Sequence, residues 1–349
     1  LRELGLDPKT GIAKTGLVGL MEGSGPDADR GKTLMIRADM DALAVTEETG
    51  HPWTSTHEGR MHACGHDGHM AMVLGAAKVL STMTDKLNGR IKFVFQPAEE
   101  GPGGAKPMVE AGIMENPHVD YVVGAHLWPA LEIGKIGIKE GPLMAAMDFF
   151  DLTIKGKGGH GAMPHMCIDP VDTAAQVINA LQRIASRQMS PISPTVVTIG
   201  SIEGGSSYNI IPDTVALKGT TRTFDRDIWV TWPERMEKII KGVCDSMGAE
   251  YTLDYKAGYP PTANDADMAE LAGISASRVV GEDNVVAPEP TMGGEDMSFY
   301  LEKAKGCFIF LGTGFQGCAP LHNSHFDFDE DVLLTGVELF CDMALTLLK

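Results

Sequence analysis

The feature that most restricts the fold is a change of rhythm in the middle of the chain. Up to about residue 140, short apolar runs alternate with a helical stretch. The pattern predicts strands over 33–36, 89–95 and 121–125 and a helix over 70–83. From 149 the rhythm becomes strand (149–155), helix (169–186), two strands (195–201 and 214–221), helix (232–247) and strand (250–255). Asp169 reads as an N-cap with Pro170 at the first helical position, and Gly248 closes the second helix. After Thr262 helix and strand alternate again. Gly141-Pro142 and Gly258-Tyr259-Pro260-Pro261 bracket the middle stretch with linker chemistry. The fold class expected is therefore α/β. A mixed, mostly parallel sheet with flanking helices is assigned to residues 1–143 and 260–349. An inserted α+β sandwich of β-α-β-β-α-β order is assigned to 144–259. A chain of 349 residues suits two domains.

Composition narrows the function classes. The net charge of −18 repels nucleic acid and anionic membrane surfaces, so neither is expected as a partner. No apolar run approaches the ~18 residues of a membrane-spanning helix. No signal peptide is visible, although the chain opens at Leu1 rather than Met and an upstream segment with a targeting signal is compatible with it. Six dispersed cysteines read as reduced thiols of a cytoplasmic protein.

The chemistry gathers in loops of the α/β parts. Residues His62, Cys64, His66, Asp67 and His69 put five potential ligands into eight positions, with two glycines among them. Thiolate and imidazole suit zinc and similar ions. Not all five can touch a metal, so Asp67 and one or two histidines are expected to orient the others. Glu99 and Glu100 follow the strand over 91–95, where open α/β sheets place ligands. One carboxylate can bind metal while its neighbour meets an attacking water. His126 follows another buried strand, and His322 and His325 form a pair near the C-terminus. Together these can hold two metal ions beside a carboxylate base. The inserted module carries a second set. His160 lies in a glycine-flanked loop, Asn209 precedes Ile210-Ile211-Pro212, and Arg222 follows the strand over 214–221. Arg and Asn are suited to gripping a carboxylate.

The stretches HACGHDGH, QPAEEG, GAHLWP, KGKGGHGAMPH, NIIPD with Arg222 thirteen residues after its Asn, GGEDMSFY and LHNSHFDF occur in this order. From about Gly16 onward they closely resemble the aminoacylase and carboxypeptidase G-like metallohydrolases. Within these they resemble the amidohydrolase branch that includes hippurate hydrolase and the auxin-conjugate hydrolases. The resemblance implies metal-dependent hydrolysis of the amide bond of N-acyl amino acids, with a dipeptidase or carboxypeptidase as the alternative. It implies two divalent ions per subunit (Zn, Mn, Ni or Co) held by Cys64, His66, Glu100, His126 and His325. Glu99 is the implied base and His160 the oxyanion donor that reaches into a partner's site. Asn209, Arg222 and Gly294 are the implied substrate contacts, and Asp39 and Asp67 the implied supports of the ligands. A small N-acyl amino acid is the expected substrate, and a homodimer or dimer of dimers formed through the inserted module the expected assembly. The chain departs from the family pattern at Ala44 and Ser324, where proline is common, and lacks the usual N-terminal RxxLHxxPE signature.

Overall fold

A computed structural model describes every residue from Leu1 to Lys349. The chain divides into two units. One comprises 1–143, 262–290 and 296–349, and the other comprises 144–261 and 291–295.

The first unit is built on an eight-stranded sheet. Its spatial order is Lys9–Ile12, Gly16–Glu22, Gly89–Gln96, Lys32–Asp39, Tyr121–Glu132, Lys305–Gly314, Ile136–Gly137 and Val285–Val286. The four long inner strands, Gly89–Gln96 to Lys305–Gly314, run parallel; the pairings flanking them are antiparallel, and the edge pair of Ile136–Gly137 with Val285–Val286 is again parallel. Inner strands covered on both faces read as nearly continuous apolar runs, which is why the successive residues Leu34, Met35 and Ile36, and likewise Phe93 and Val94, all lack solvent contact. Helices His66–Ser81, Ala266–Val280 and Asp331–Leu347 pack together over one core with these strands. No helix in the chain is long and apolar enough to cross a membrane.

The second unit holds an antiparallel sheet in the order Thr195–Glu203, Thr214–Thr223, Ala146–Lys155, Glu250–Tyr259. Helices Pro170–Arg183 and Arg226–Met247 cover it, burying Phe150, Leu152, Val177, Leu181, Trp232 and Ile240 in a core of their own. Asp169 caps the first helix, its carboxylate accepting from the backbone of Val171 (2.8 Å) and Asp172 (3.3 Å). The second helix starts six residues ahead of the position expected from the sequence. Asp225 caps it by accepting from Asp227 N (2.8 Å) and Ile228 N (3.1 Å), and it continues through Pro233.

Residues 260–261 and 291–295, which the sequence pattern groups with the α/β parts, belong to the second unit. The reason for 291–295 is local. The Ala145 N–H donates to the carbonyls of Thr291 (3.1 Å) and Gly293 (3.0 Å), and Gly294 lies against Met147.

Candidate metal centre

Three segments of the first unit converge on one buried cluster. The helix His66–Ser81 begins inside the histidine-rich stretch because Gly65, at φ 80°, takes a left-handed turn that a side chain would strain. His66 and His69 are three apart and face the sheet together, toward Asp39. Asp67 turns outward instead. It is exposed, and its carboxylate only accepts from the next backbone N–H at 3.0 Å. The expectation that Asp67 supports the ligands is therefore corrected, since a one-residue step rotates a helical side chain by about 100°.

The donor atoms can be followed one by one. His126 lies within the strand Tyr121–Glu132 rather than beyond it. Its Nδ1–H donates to the Leu127 carbonyl (2.8 Å), which leaves Nε2 as a lone pair 3.5 Å from Cys64 Sγ. His66 Nδ1–H donates to the Asp41 carbonyl (3.0 Å), leaving Nε2 buried without a hydrogen-bond partner. Glu100 Oε1 is also buried and without a hydrogen bond, although His322 Nε2 stands 3.0 Å away in poor alignment. Donor atoms of Cys64, His66 and His126 lie within 4.8 Å of one another, as do those of Cys64, Glu100 and His322. A third such set joins His66, Glu99 and Glu100.

Orphaned buried lone pairs are costly unless a cation takes them up, and thiolate, imidazole and carboxylate together are the donors that divalent transition metals accept. The electrostatics agree. Burial opposes the protonation of His66, yet the carboxylates of Asp39, Asp41 and Glu100 push its pKa up to about 9. Burial, followed by Glu100 and Glu99, raises the Cys64 thiol far above its ordinary value. A bound cation reverses that logic and favours the thiolate. The residues present fit a metal site.

His325 is not among these donors. Its side chain is 64% exposed, and its Nδ1–H donates to the Glu48 carbonyl at 2.9 Å. Ser324 reinforces this by bonding Glu48 through its hydroxyl (2.6 Å) and its carbonyl (2.8 Å). The histidine brought to Glu100 is His322, whose backbone takes a left-handed φ of 65° while its N–H donates to the Ala63 carbonyl at 2.7 Å. His322, and not the expected His325, is thus the histidine that the fold brings to the donor cluster. Nothing in the sequence betrays a positive φ at His322, so the pair alone did not distinguish them.

The supporting groups are partly new. Asp39 accepts from His69 Nδ1–H at 2.7 Å, and His69 Nε2 accepts from Leu127 N at 2.9 Å. Both His69 nitrogens are thereby used in hydrogen bonds. Arg37 donates to Asp39 (2.9 Å) and Asp296 (3.0 Å), all three buried. Asp41 holds the loop of the paired glutamates, its two oxygens accepting from Glu99 N and Glu100 N at 3.0 Å each. Asp296 grips the far end of that loop through Gly104 N and Ala105 N, both at 2.9 Å. Asp41 stands in the same polar run as Asp39 and was open to the same reasoning. Asp296 stands in the GGEDMSFY stretch, but its bond to the glutamate loop spans 192 residues and no local pattern announces it.

In the second unit, His160 and Asn209 come together. Gly159–His160 pairs with Ile210–Ile211, Gly161 N donates to the Asn209 carbonyl at 2.9 Å, and both side chains are exposed. Arg222 lies within the strand Thr214–Thr223, its guanidinium 5.8 Å from the Phe149 ring centre. Gly294 is packed so tightly that an added Cβ would come within 2.8 Å of Met147.

The chain has relatives along its whole length. Residues 35–346 match the model of peptidase family M20/M25/M40. The chain is 41% identical over 343 residues to thermostable carboxypeptidase 1 of Saccharolobus solfataricus, covering 96% of this chain and 85% of that one. It is 38% identical over 348 residues to the N-acetyl-L-cysteine deacetylase of Bacillus subtilis, covering 100% and 81%. The solved structure of the Bacillus subtilis YXEP protein, described as a dinuclear metal-binding peptidase from the M20 family, is similar at a TM-score of 0.84 and 34% identity, over 100% of this chain and 89% of that one. A family match of this extent, on a chain that folds its thiol, imidazole and carboxylate donors into one cluster, makes the protein a hydrolase of peptidase family M20/M25/M40.

Proposed function

We propose that the protein hydrolyses the amide bond of N-acyl amino acids to a carboxylic acid and a free amino acid. The observation that carries this reading is the convergence of Cys64, His66, Glu100, His126 and His322 beside Glu99. Those five residues would hold two divalent ions, and the mixed thiol, imidazole and carboxylate set supports Zn, Mn, Ni or Co. Bound there, the ions would polarise the acyl carbonyl and acidify water. Glu99 takes the proton from the attacking water and returns it to the leaving amine. Asp41 holds its backbone, and Glu99 itself is buried. Asn209 and Arg222 grip the α-carboxylate of the amino-acid half, and the absence of a side chain at Gly294 keeps the backbone close to Met147.

The first unit is the catalytic domain in this reading and the second the dimerisation domain. The second unit's sheet ends on two strands, Thr195–Glu203 and Glu250–Tyr259, each with one unpaired edge that a second copy can extend. In that homodimer His160 donates to the oxyanion in the partner's site. Six free cysteines support a reducing compartment, the cytoplasm.

A second reading, removal of the C-terminal residue from a peptide, is favoured by the 41% identity to a carboxypeptidase. A screen of N-acetyl and N-benzoyl amino acids against dipeptides, with each metal supplied, separates the two. Cleavage of the dipeptides with no turnover of any N-acyl amino acid would replace the first reading by the second.

A further inference from the structure

The first unit contains an apolar cleft of about 370 Å³ lined by residues 128–130 and 318–321. One wall continues the strand that carries His126. The Trp128 and His126 rings meet edge to face, 5.4 Å between centres. Trp128 is braced from behind by stacking on Phe310, 4.1 Å between centres and 3° from parallel. The other wall is Cys318, Ala319, Pro320 and Leu321, and the next residue is His322. The Cys318 thiol donates to the Pro129 carbonyl at 3.9 Å and ties the two walls together. The cleft is thus flanked at both walls by candidate metal ligands, and no residue lining it is charged.

We infer that this cleft is the subsite for the acyl half of the substrate, and that it selects apolar acyl groups larger than acetyl. The inference rests on the amidohydrolase reading above and adds a substrate class to it. The volume falls at the small end of the ~300–1,000 Å³ typical of ligand sites, enough for one ring or a short chain. A dipeptide would bring an ammonium group into a cleft that offers no carboxylate, and burying an unpaired charge is strongly unfavourable. An acyl chain brings only methylenes. Each fully buried methylene strengthens binding by about fourfold, the equivalent of ~0.8 kcal/mol.

The test uses the metal-loaded protein and a ligand that cannot react. Binding of 4-fluorobenzoate is followed by fluorine NMR, with acetate and hexanoate as competitors. Hexanoate should displace the probe at a concentration at least about tenfold lower than acetate, four buried methylenes setting the upper limit. Ala319→Trp and Ala130→Trp fill the cleft from opposite walls, and either one, if folded by circular dichroism, should weaken the probe at least about fivefold. Equal competition by acetate and hexanoate, or unchanged probe binding in a folded variant, overturns the inference. Hydrolysis is measured separately on N-acetylglycine, N-hexanoylglycine and leucylglycine. Turnover of none of the acylglycines sinks the amidohydrolase reading, while the binding data still decide the cleft. Turnover with equal kcat/KM for acetyl and hexanoyl sinks the cleft and leaves that reading standing.

Discussion

Exchanging the roles of His322 and His325 is the sharpest departure from the sequence expectation, and two alanine substitutions test it. His322 Nε2 is 3.0 Å from Glu100 Oε1 and within 4.8 Å of the Cys64 sulfur, so His322→Ala removes one of three donors from that set. Loss of a group that merely supports a ligand weakens metal binding by about 10–100-fold, and loss of a direct donor should cost at least as much. After dialysis against a metal buffer held about tenfold above the wild-type dissociation constant, His322→Ala should fall from about two ions per chain toward about one. His325→Ala loses one neutral hydrogen bond, to the Glu48 carbonyl, on a side chain 64% exposed. Such a bond contributes at most about 0.5–1.5 kcal/mol, and water replaces it at the surface. Its metal content should match wild type, with a Tm lowered by only a few degrees. The assay is metal per chain by plasma mass spectrometry, paired with calorimetry. If His325→Ala sheds an ion while His322→Ala keeps both, the donor geometry described above is wrong.

Glu99→Gln should keep its metal content but lose about 10²-fold or more in turnover, the scale of general acid–base catalysis, and turnover within a few-fold of wild type would remove Glu99 from the role. Cys64 should resist alkylation in the metal-loaded protein and react once a chelator is added, as read by mass spectrometry of the labelled peptide, and equal labelling in both states would argue against ligation. Asp225→Ala should cost about 1 kcal/mol by removing the cap on Arg226–Met247, seen as a shifted denaturation midpoint, and a shift under ~0.3 kcal/mol would show the cap to be idle. Mixing the inactive variants His160→Ala and Glu99→Gln should restore up to about a quarter of wild-type activity if chains exchange and His160 serves the partner's site, whereas exchanged mixed dimers that stay inactive would refute that exchange of groups.

What the sequence made legible follows the range of each interaction. The parallel strands were readable because burial on both faces leaves short apolar runs such as Leu34-Met35-Ile36 and Phe93-Val94-Phe95. The convergence of Cys64, His66, Glu100 and His126 was readable because these residues stand close in sequence or next to a strand. The start of Arg226–Met247 was missed because Pro233 resembles a first-turn proline, while the helix tolerates it in its interior. His322 was missed because its choice over His325 depends on one backbone turn and on the Glu48 segment, 277 residues away from His325. The acyl cleft was out of reach altogether. Its walls, 128–130 and 318–321, meet because Tyr121–Glu132 and Lys305–Gly314 lie side by side in the sheet, and no local pattern encodes that pairing.

The loop that carries Glu99 and Glu100 is fastened at both ends by carboxylates lying outside it: Asp41 at Glu99 and Glu100, and Asp296 at Gly104 and Ala105. Within it Ala98 is held at φ 57°, a conformation a free chain would largely abandon, and Gly103 N closes back on the Ala98 carbonyl at 3.0 Å. The entropy of ordering this loop is therefore lost when the polypeptide folds. In the proposed mechanism a substrate meets Glu99 on a backbone already in place, and its own binding free energy remains available for the acyl and carboxylate ends. The same arrangement makes the site brittle. Arg37 joins Asp39 to Asp296, so a side-chain change at this one buried guanidinium would loosen the histidine support and the glutamate loop together, far from any atom of the substrate.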